Sequence, residues 1–183
     1  MPVLVKERIL DDRGTKFGKT IIERDFQMLN GETYPILCVS ISGIVPVVIF
    51  PLTDRGTVLL LNQFRFGINA FTYELPGGCS KKMHWQEAAK EELLEETGAV
   101  ASSIELIGGP IELDPALGDA RVLAVLAKGC TIVKSQHLDA TEEAEVVEIT
   151  VAEFREMARS GKITDAKTVA IGYLALDHLG LLE

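Results

Sequence analysis

Residues 85–97, WQEAAKEELLEET, are strong helix formers, and Gly98 stands where a helix ends on glycine. Upstream, Glu74–Gly78 (ELPGG) reads as a turn or loop. On the helix, Glu92, Glu95 and Glu96 have i, i+3, i+4 spacing and share one face, while Leu93 takes another and packs inward beside Ala89. Three carboxylates on one face repel unless a cation lies between them. Mg²⁺ and Mn²⁺ prefer oxygen ligands and often complete their coordination with substrate phosphates. A bare EELLEE reads more simply as a solvated acidic face. Two neighbours shift the balance toward metal. The Pro76-Gly77-Gly78 turn brings backbone close and can offer a carbonyl, and Thr97-Gly98 ends the helix directly after the last carboxylate.

The first third of the chain reads as β structure. Residues 15–29 and 33–41 are two expected strands around Asn30-Gly31, a hairpin signal. Ile44–Phe50 and Thr57–Asn62 follow, with Asp54-Arg55-Gly56 as turn material. Pro46 makes the first of these an edge strand or one that begins after the proline. Ile104–Ile107, Arg121–Ala127 and Val146–Val151 are further strands. Thr150 and Glu153 form a capping box for a helix to about Ser160, and a last helix runs from about Asp165 to Leu179. The order is β-rich, helix, β, helix, helix, an α+β pattern with mixed strands.

The 183 residues fit one domain better than two, and 47% hydrophobic residues argue against disorder. A net charge of −9 argues against a protein that lives on nucleic acid or on an anionic membrane. It also sets a problem for a polyphosphate ligand, which bound cations or a local basic patch would have to solve. Cys38, Cys79 and Cys130 form no CxxC pair, and the three histidines are scattered, so no Cys/His zinc site is expected. The chain opens without a signal-peptide apolar core, and no apolar run reaches transmembrane length. The cytoplasm is the expected compartment.

The stretch GGCSKKMHWQEAAKEELLEETGAV resembles the Nudix box, with Glu92, Leu93, Glu95, Glu96 and Gly98 in place and Gly77 as the opening glycine. It departs from the box at Met83, usually glutamate, and at Glu91, usually arginine. An arginine there would pair with a carboxylate one turn on, whereas Glu91 faces Glu95 and repels it. Lys81, Lys82 or Lys90 are the cations available to compensate.

The resemblance covers most of the chain and is nearest to the ADP-ribose pyrophosphatases and their sugar-nucleotide relatives. VVIFPLTDRGTVLLLNQFRFGINAFTYELPGG and AEVVEITVAEFREMARSGKITDAKTVAIGYLAL carry it. It implies a Nudix fold, a mixed β-sheet sandwiched between helices, in residues 43–183. Residues 1–42 would be an extra antiparallel β segment that forms a homodimer. It implies hydrolysis of the diphosphate of ADP-ribose or a related nucleoside diphosphate sugar with Mg²⁺ or Mn²⁺. A catalytically weak Nudix-fold nucleotide-binding domain is the alternative. The metal set would be Gly77, Glu92, Glu95 and Glu96, with Glu95 also among the catalytic residues. The base would lie before the late strand, with Glu145 the first choice and Glu143 the second; a charged loop leading into a strand is the competing reading.

Arg65 is the candidate phosphate contact, or else half of a salt bridge. Glu74 is a candidate for a base or ribose contact, or else a buried structural group. Trp85, Phe64, Phe66 and Phe71 could stack on a nucleobase, though core or dimer contacts suit most of them better. In LDPALGDARV, Asp119 stands beside Ala120, where relatives carry a glutamate, and could replace it.

Overall fold

The computed structural model describes residues 1–12, 19–41, 45–78, 84–139 and 141–182. They form two compact units. Met1–Val45 and Glu112–Arg121 make the first. It holds β1 (Val3–Asp11), β2 (Thr20–Gln27) and β3 (Thr33–Ser40), antiparallel in the order β1-β2-β3. The Asn30-Gly31 turn joins β2 to β3, with Gly31 at φ +87, the left-handed region glycine adopts without penalty. Strand β1 has no counterpart in the sequence reading, because Lys6-Glu7-Arg8 breaks its apolar run. Those charges are spent across the sheet: Arg8 pairs with Glu23, and Glu7 accepts from Arg24 at 2.7 Å.

The 112–121 segment, expected in the second domain, groups with the N-terminal strands. Asp119 explains why. Its carboxylate accepts from the Ile41 amide at 2.9 Å, the Ser40 hydroxyl at 2.8 Å and Arg24 at 3.4 Å. These donors hold its pKa below the usual range against the opposing effect of burial. Asp119 is therefore a stitch within this unit.

Pro46–Ile111 and Val122–Glu183 make the second unit. Its strands are β4 (Val47–Thr53), β5 (Thr57–Arg65), β6 (Ala70–Glu74), β7 (Ala99–Val100), β8 (Ser103–Glu112), β9 (Arg121–Ile132) and β10 (Ala144–Thr150). Its helices are α1 (Trp85–Thr97), α2 (Val151–Arg159) and α3 (Ala166–His178). The sheet runs β10-β5-β4-β9-β7, with β6 on β5 and β8 on β9. Strands β4 and β9 are parallel and β4 and β5 antiparallel, so the sheet is mixed as expected. Strand β4 begins directly after Pro46, as the missing N–H requires.

Period-two alternation divides the core. Val47, Ile49, Leu59, Val125 and Ala127 face Ala88, Ala89 and Leu93 of α1. Val48, Phe50, Val58, Leu60, Ala124 and Leu126 face Phe154, Met157, Ile171 and Leu176 of α2 and α3. The sheet thus lies between α1 and the pair α2 and α3. Phe50 and Phe154 meet edge to face at 5.4 Å between centroids. The Thr150–Glu153 capping box is present and starts α2 directly off the end of β10.

Candidate active site

Small side chains bring α1 close to the sheet, since Ala88 and Ala89 are both buried there. The helix closes on Gly98 in the left-handed conformation, φ +69, whose amide donates to the Leu94 carbonyl. The Gly98 carbonyl accepts from Val133 at 2.9 Å, and the Glu95 carbonyl accepts from the His137 amide at 2.7 Å. The C-terminal turn of α1 thereby anchors the start of the loop that leads to β10.

On the other side of α1 runs Pro76-Gly77-Gly78. The Pro76 carbonyl accepts from Ile49 and the Gly78 carbonyl from Val47, each at 2.9 Å. Backbone groups alternate along an extended segment, so those of Gly77 point away from β4. The Gly77 amide donates to Glu96 Oε2 at 2.7 Å. Its carbonyl, expected from sequence to be a metal ligand, belongs to the residue whose amide meets Glu96. The two glycines differ in what surrounds them. A Cβ on Gly77 would strike the Val47 carbonyl, and one on Gly78 would lie 2.6 Å from Glu92 Oε1.

Glu92 and Glu96 therefore converge on the glycine turn. Glu96 is only 6% exposed. Burial pushes its carboxyl up to about 8, with Glu92 and Glu142 adding to the rise and the Gly77 amide and Arg65 opposing it. Glu92 is pushed up to about 7, first by burial, then by Glu95, Glu142, Glu91 and Asp139. A buried and a half-buried carboxylate that repel each other beside a backbone turn form an all-oxygen donor set that suits a hard divalent cation.

Glu95 departs from the expectation of three equivalent carboxylates. It is exposed, and among the described residues no group of three acidic, His or Cys side chains converges as a metal cage. Successive helical positions lie about 100° apart. Glu96 therefore turns toward Gly77 while Glu95 turns toward solvent, with Glu92 between them. Of the other box positions raised from sequence, Met83, Lys81 and Lys82 fall outside the described residues, and Lys90 is exposed.

The two candidate bases are placed differently by the strand. Val146 packs on the α1 side of the sheet and Ile149 on the α2/α3 side. Glu145 shares the parity of Ile149, so it faces away from α1. Glu143 spends its carbonyl on the Phe64 amide, and its side chain is exposed. Glu142, whose Oε2 accepts from the Asp139 amide at 3.1 Å, is a loop carboxylate that helps to raise both Glu92 and Glu96. Its neighbourhood in TEEAEVVE carries the signal, but its proximity to α1 depends on the loop path.

Arg65 and Glu74 form a pair. Arg65 Nε donates to Glu74 Oε1 at 2.6 Å and Nη2 to Oε2 at 2.7 Å. Lys167 Nζ reaches the same Oε2 at 2.5 Å. Glu74 is 2% exposed, and these cations hold it below the usual carboxylate range despite burial. It is thus a buried carboxylate held by two cations. Arg65 keeps a partly exposed edge and lies close enough to Glu96 to influence it. Trp85 packs against the α1-side core. Phe64, Phe66 and Phe71 pack edge to face on the β5–β6 hairpin; Phe64 and Phe71 lie opposite each other across the two strands.

Residues 44–170 match the family model of the NUDIX domain. The chain belongs to the Nudix family. It is a Nudix hydrolase, and the members of this family generally use divalent metal ions. It is 32% identical to an ADP-ribose pyrophosphatase of Bacillus subtilis (strain 168) over 155 residues, 83% of this chain and 82% of that one. It is 28% identical to a methanol dehydrogenase activator of Bacillus methanolicus over 157 residues, 84% of this chain and 83% of that one. The crystal structure of an ADP compounds hydrolase shares the fold, with a TM-score of 0.83 at 18% identity over 99% of this chain and 97% of that one. Among the described residues no helix of this Nudix hydrolase is long and apolar enough to cross a membrane.

Proposed function

We infer that this Nudix hydrolase is a metal-dependent pyrophosphohydrolase that cleaves the diphosphate of ADP-ribose or a related nucleoside diphosphate sugar. The observation that carries this reading is the convergence of the half-buried Glu92 and the buried Glu96 on Gly77-Gly78, an oxygen-only site. Glu92, Glu96 and the Gly77 carbonyl would hold Mg²⁺ or Mn²⁺, with Glu95 at the exposed rim. When bound, the metal neutralises charge on the diphosphate and makes water more acidic. Glu142 would take the proton of the attacking water, and Arg65 would hold a phosphate oxygen. The similarity to an ADP-ribose pyrophosphatase over most of both chains supports the substrate class.

The N-terminal unit fits a role as a two-fold dimer surface. Its three-stranded sheet leaves Val3, Val5, Ile9 and Leu37 between 52% and 66% exposed, which a lone sheet in water does not favour. The free thiols Cys38 and Cys130 suit a reducing cytoplasm.

A release assay across nucleoside diphosphate compounds, with Mg²⁺, Mn²⁺ or EDTA, tests the reading. The expected result is metal-dependent formation of AMP and ribose 5-phosphate from ADP-ribose. Tight binding of these compounds without turnover would replace the reading with that of a nucleotide-binding domain.

A further inference from the structure

We propose that Lys167, on the first turn of α3, is a positioning residue that sets the direction of the Arg65 guanidinium through the buried carboxylate of Glu74. This rests on the reading of Arg65 as the diphosphate contact.

Three facts of geometry carry it. First, Glu74 grips Arg65 by two parallel bonds, to Nε and Nη2. That fixes the plane of the guanidinium and leaves Nη1 outside the pair, in a side chain that is 45% exposed. A planar fork held on one edge is preorganised to receive a phosphate oxygen on the other.

Second, Glu74 is itself held from behind. Lys167 Nζ bridges Glu74 Oε2 at 2.5 Å and Asp165 Oδ1 at 2.8 Å. Asp165 is the N-cap of α3, its Oδ2 accepting from the Thr168 amide at 2.9 Å. Lys167 is therefore fixed to the helix end as well as to Glu74. Third, the wholly buried Thr168 accepts from the Leu75 amide at 2.8 Å. The first turn of α3 thus holds the chain at two adjacent points, Glu74 and Leu75, just before the glycine turn. The arrangement suits a helix that aligns Arg65 rather than one that only covers the core. A purely apolar contact would have sufficed for packing, and the buried face of α3 already provides it through Ile171, Ala175 and Leu176.

The test compares wild type, Lys167→Met and Lys167→Arg as full-length protein, with melting temperature as the folding control. Lys167→Gln, which keeps a donor near Glu74, replaces Lys167→Met if the latter does not fold. Two quantities are read. One is ADP-ribose affinity by calorimetry in EDTA, together with KM, kcat and the Mg²⁺ half-saturation point. The other is the Arg65 Nε–Hε NMR resonance, assigned with Arg65→Lys.

For Lys167→Met the expected result is about a 10-fold weaker Kd and a parallel rise in KM, because the fork loses its alignment. The Mg²⁺ half-saturation point stays put, kcat changes little, the Nε–Hε signal shifts or broadens, and Lys167→Arg recovers most of the affinity. An unmoved resonance with unchanged Kd in folded Lys167→Met overturns the proposal. So does a loss of Mg²⁺ affinity that tracks the loss of ADP-ribose affinity, since that is a loosened glycine turn. If wild type neither binds nor cleaves ADP-ribose, the substrate reading falls, and the resonance alone still decides whether Lys167 positions Arg65.

Discussion

Gly78→Ala separates the candidate site from the fold. The new Cβ would lie 2.6 Å from Glu92 Oε1 and 2.7 Å from Oε2, where ordinary contact begins at 3.4 Å. The carboxylate must therefore retreat by about 0.8 Å (3.4 minus 2.6). What yields is the tip of a flexible side chain, so the stability cost stays below about 1 kcal/mol. The same shift in a ligand-bearing group is expected to cost about 100-fold in rate, or about 3 kcal/mol in the barrier. Gly77→Ala is the contrasting variant. Its Cβ would meet the Val47 carbonyl and come within 2.9 Å of Val48 Cα. That obstacle is β4 backbone and cannot swing aside, so the cost falls on folding, about 1–3 kcal/mol or more. Urea melts paired with hydrolysis rates across a Mg²⁺ titration separate the two. A Gly78→Ala protein with wild-type kcat and wild-type metal half-saturation would refute the reasoning, as would one destabilised as much as Gly77→Ala.

Glu96 and Glu92 hold their protons in the folded state up to about pH 8 and about pH 7, against an ordinary value of 4.5. Between pH 4.5 and 8 the folded protein therefore binds more protons than the unfolded chain, and metal-free stability should fall as pH rises. Urea midpoints in EDTA at pH 5 and pH 8.5 check this, and Glu96→Gln should remove much of the slope while abolishing metal-dependent hydrolysis. Glu142→Gln should lower kcat by about 10²–10⁴-fold, as loss of a general base does, and Glu145→Gln should leave it within a few-fold; the reverse ranking would return the role to Glu145. Glu91→Arg removes one of the charges that raise Glu92 and should increase turnover more than it alters KM; a lost rate with a higher Mg²⁺ requirement would place Glu91 in the metal site. Light scattering at micromolar concentration should give twice the chain mass, and Leu37→Asp should reduce it to one.

The local parts of this molecule were legible along the chain because their causes are local. The α1 formers with Gly98 after them, the Asn30-Gly31 turn, the Thr150–Glu153 box and the halt at Pro46 each act within a few residues, and each stands where the sequence puts it. The Nudix identity was legible for the same reason, since its signature is one turn and one helix. Strand β1 was not, because its charged centre makes sense only opposite Glu23 and Arg24.

What only tertiary structure decided is which of several similar groups meet. Sequence spacing treats Glu92, Glu95 and Glu96 alike, yet the angle at which α1 lies on the sheet buries Glu96 against Gly77 and leaves Glu95 in solvent. Spacing likewise cannot rank Glu142, Glu143 and Glu145, because the path of a loop sets their order. Nor does it join Lys167 to Glu74, 93 residues away. Residue type fixes what chemistry a side chain has, while desolvation and distance fix whether it is used, and both depend on parts of the chain that no local window contains.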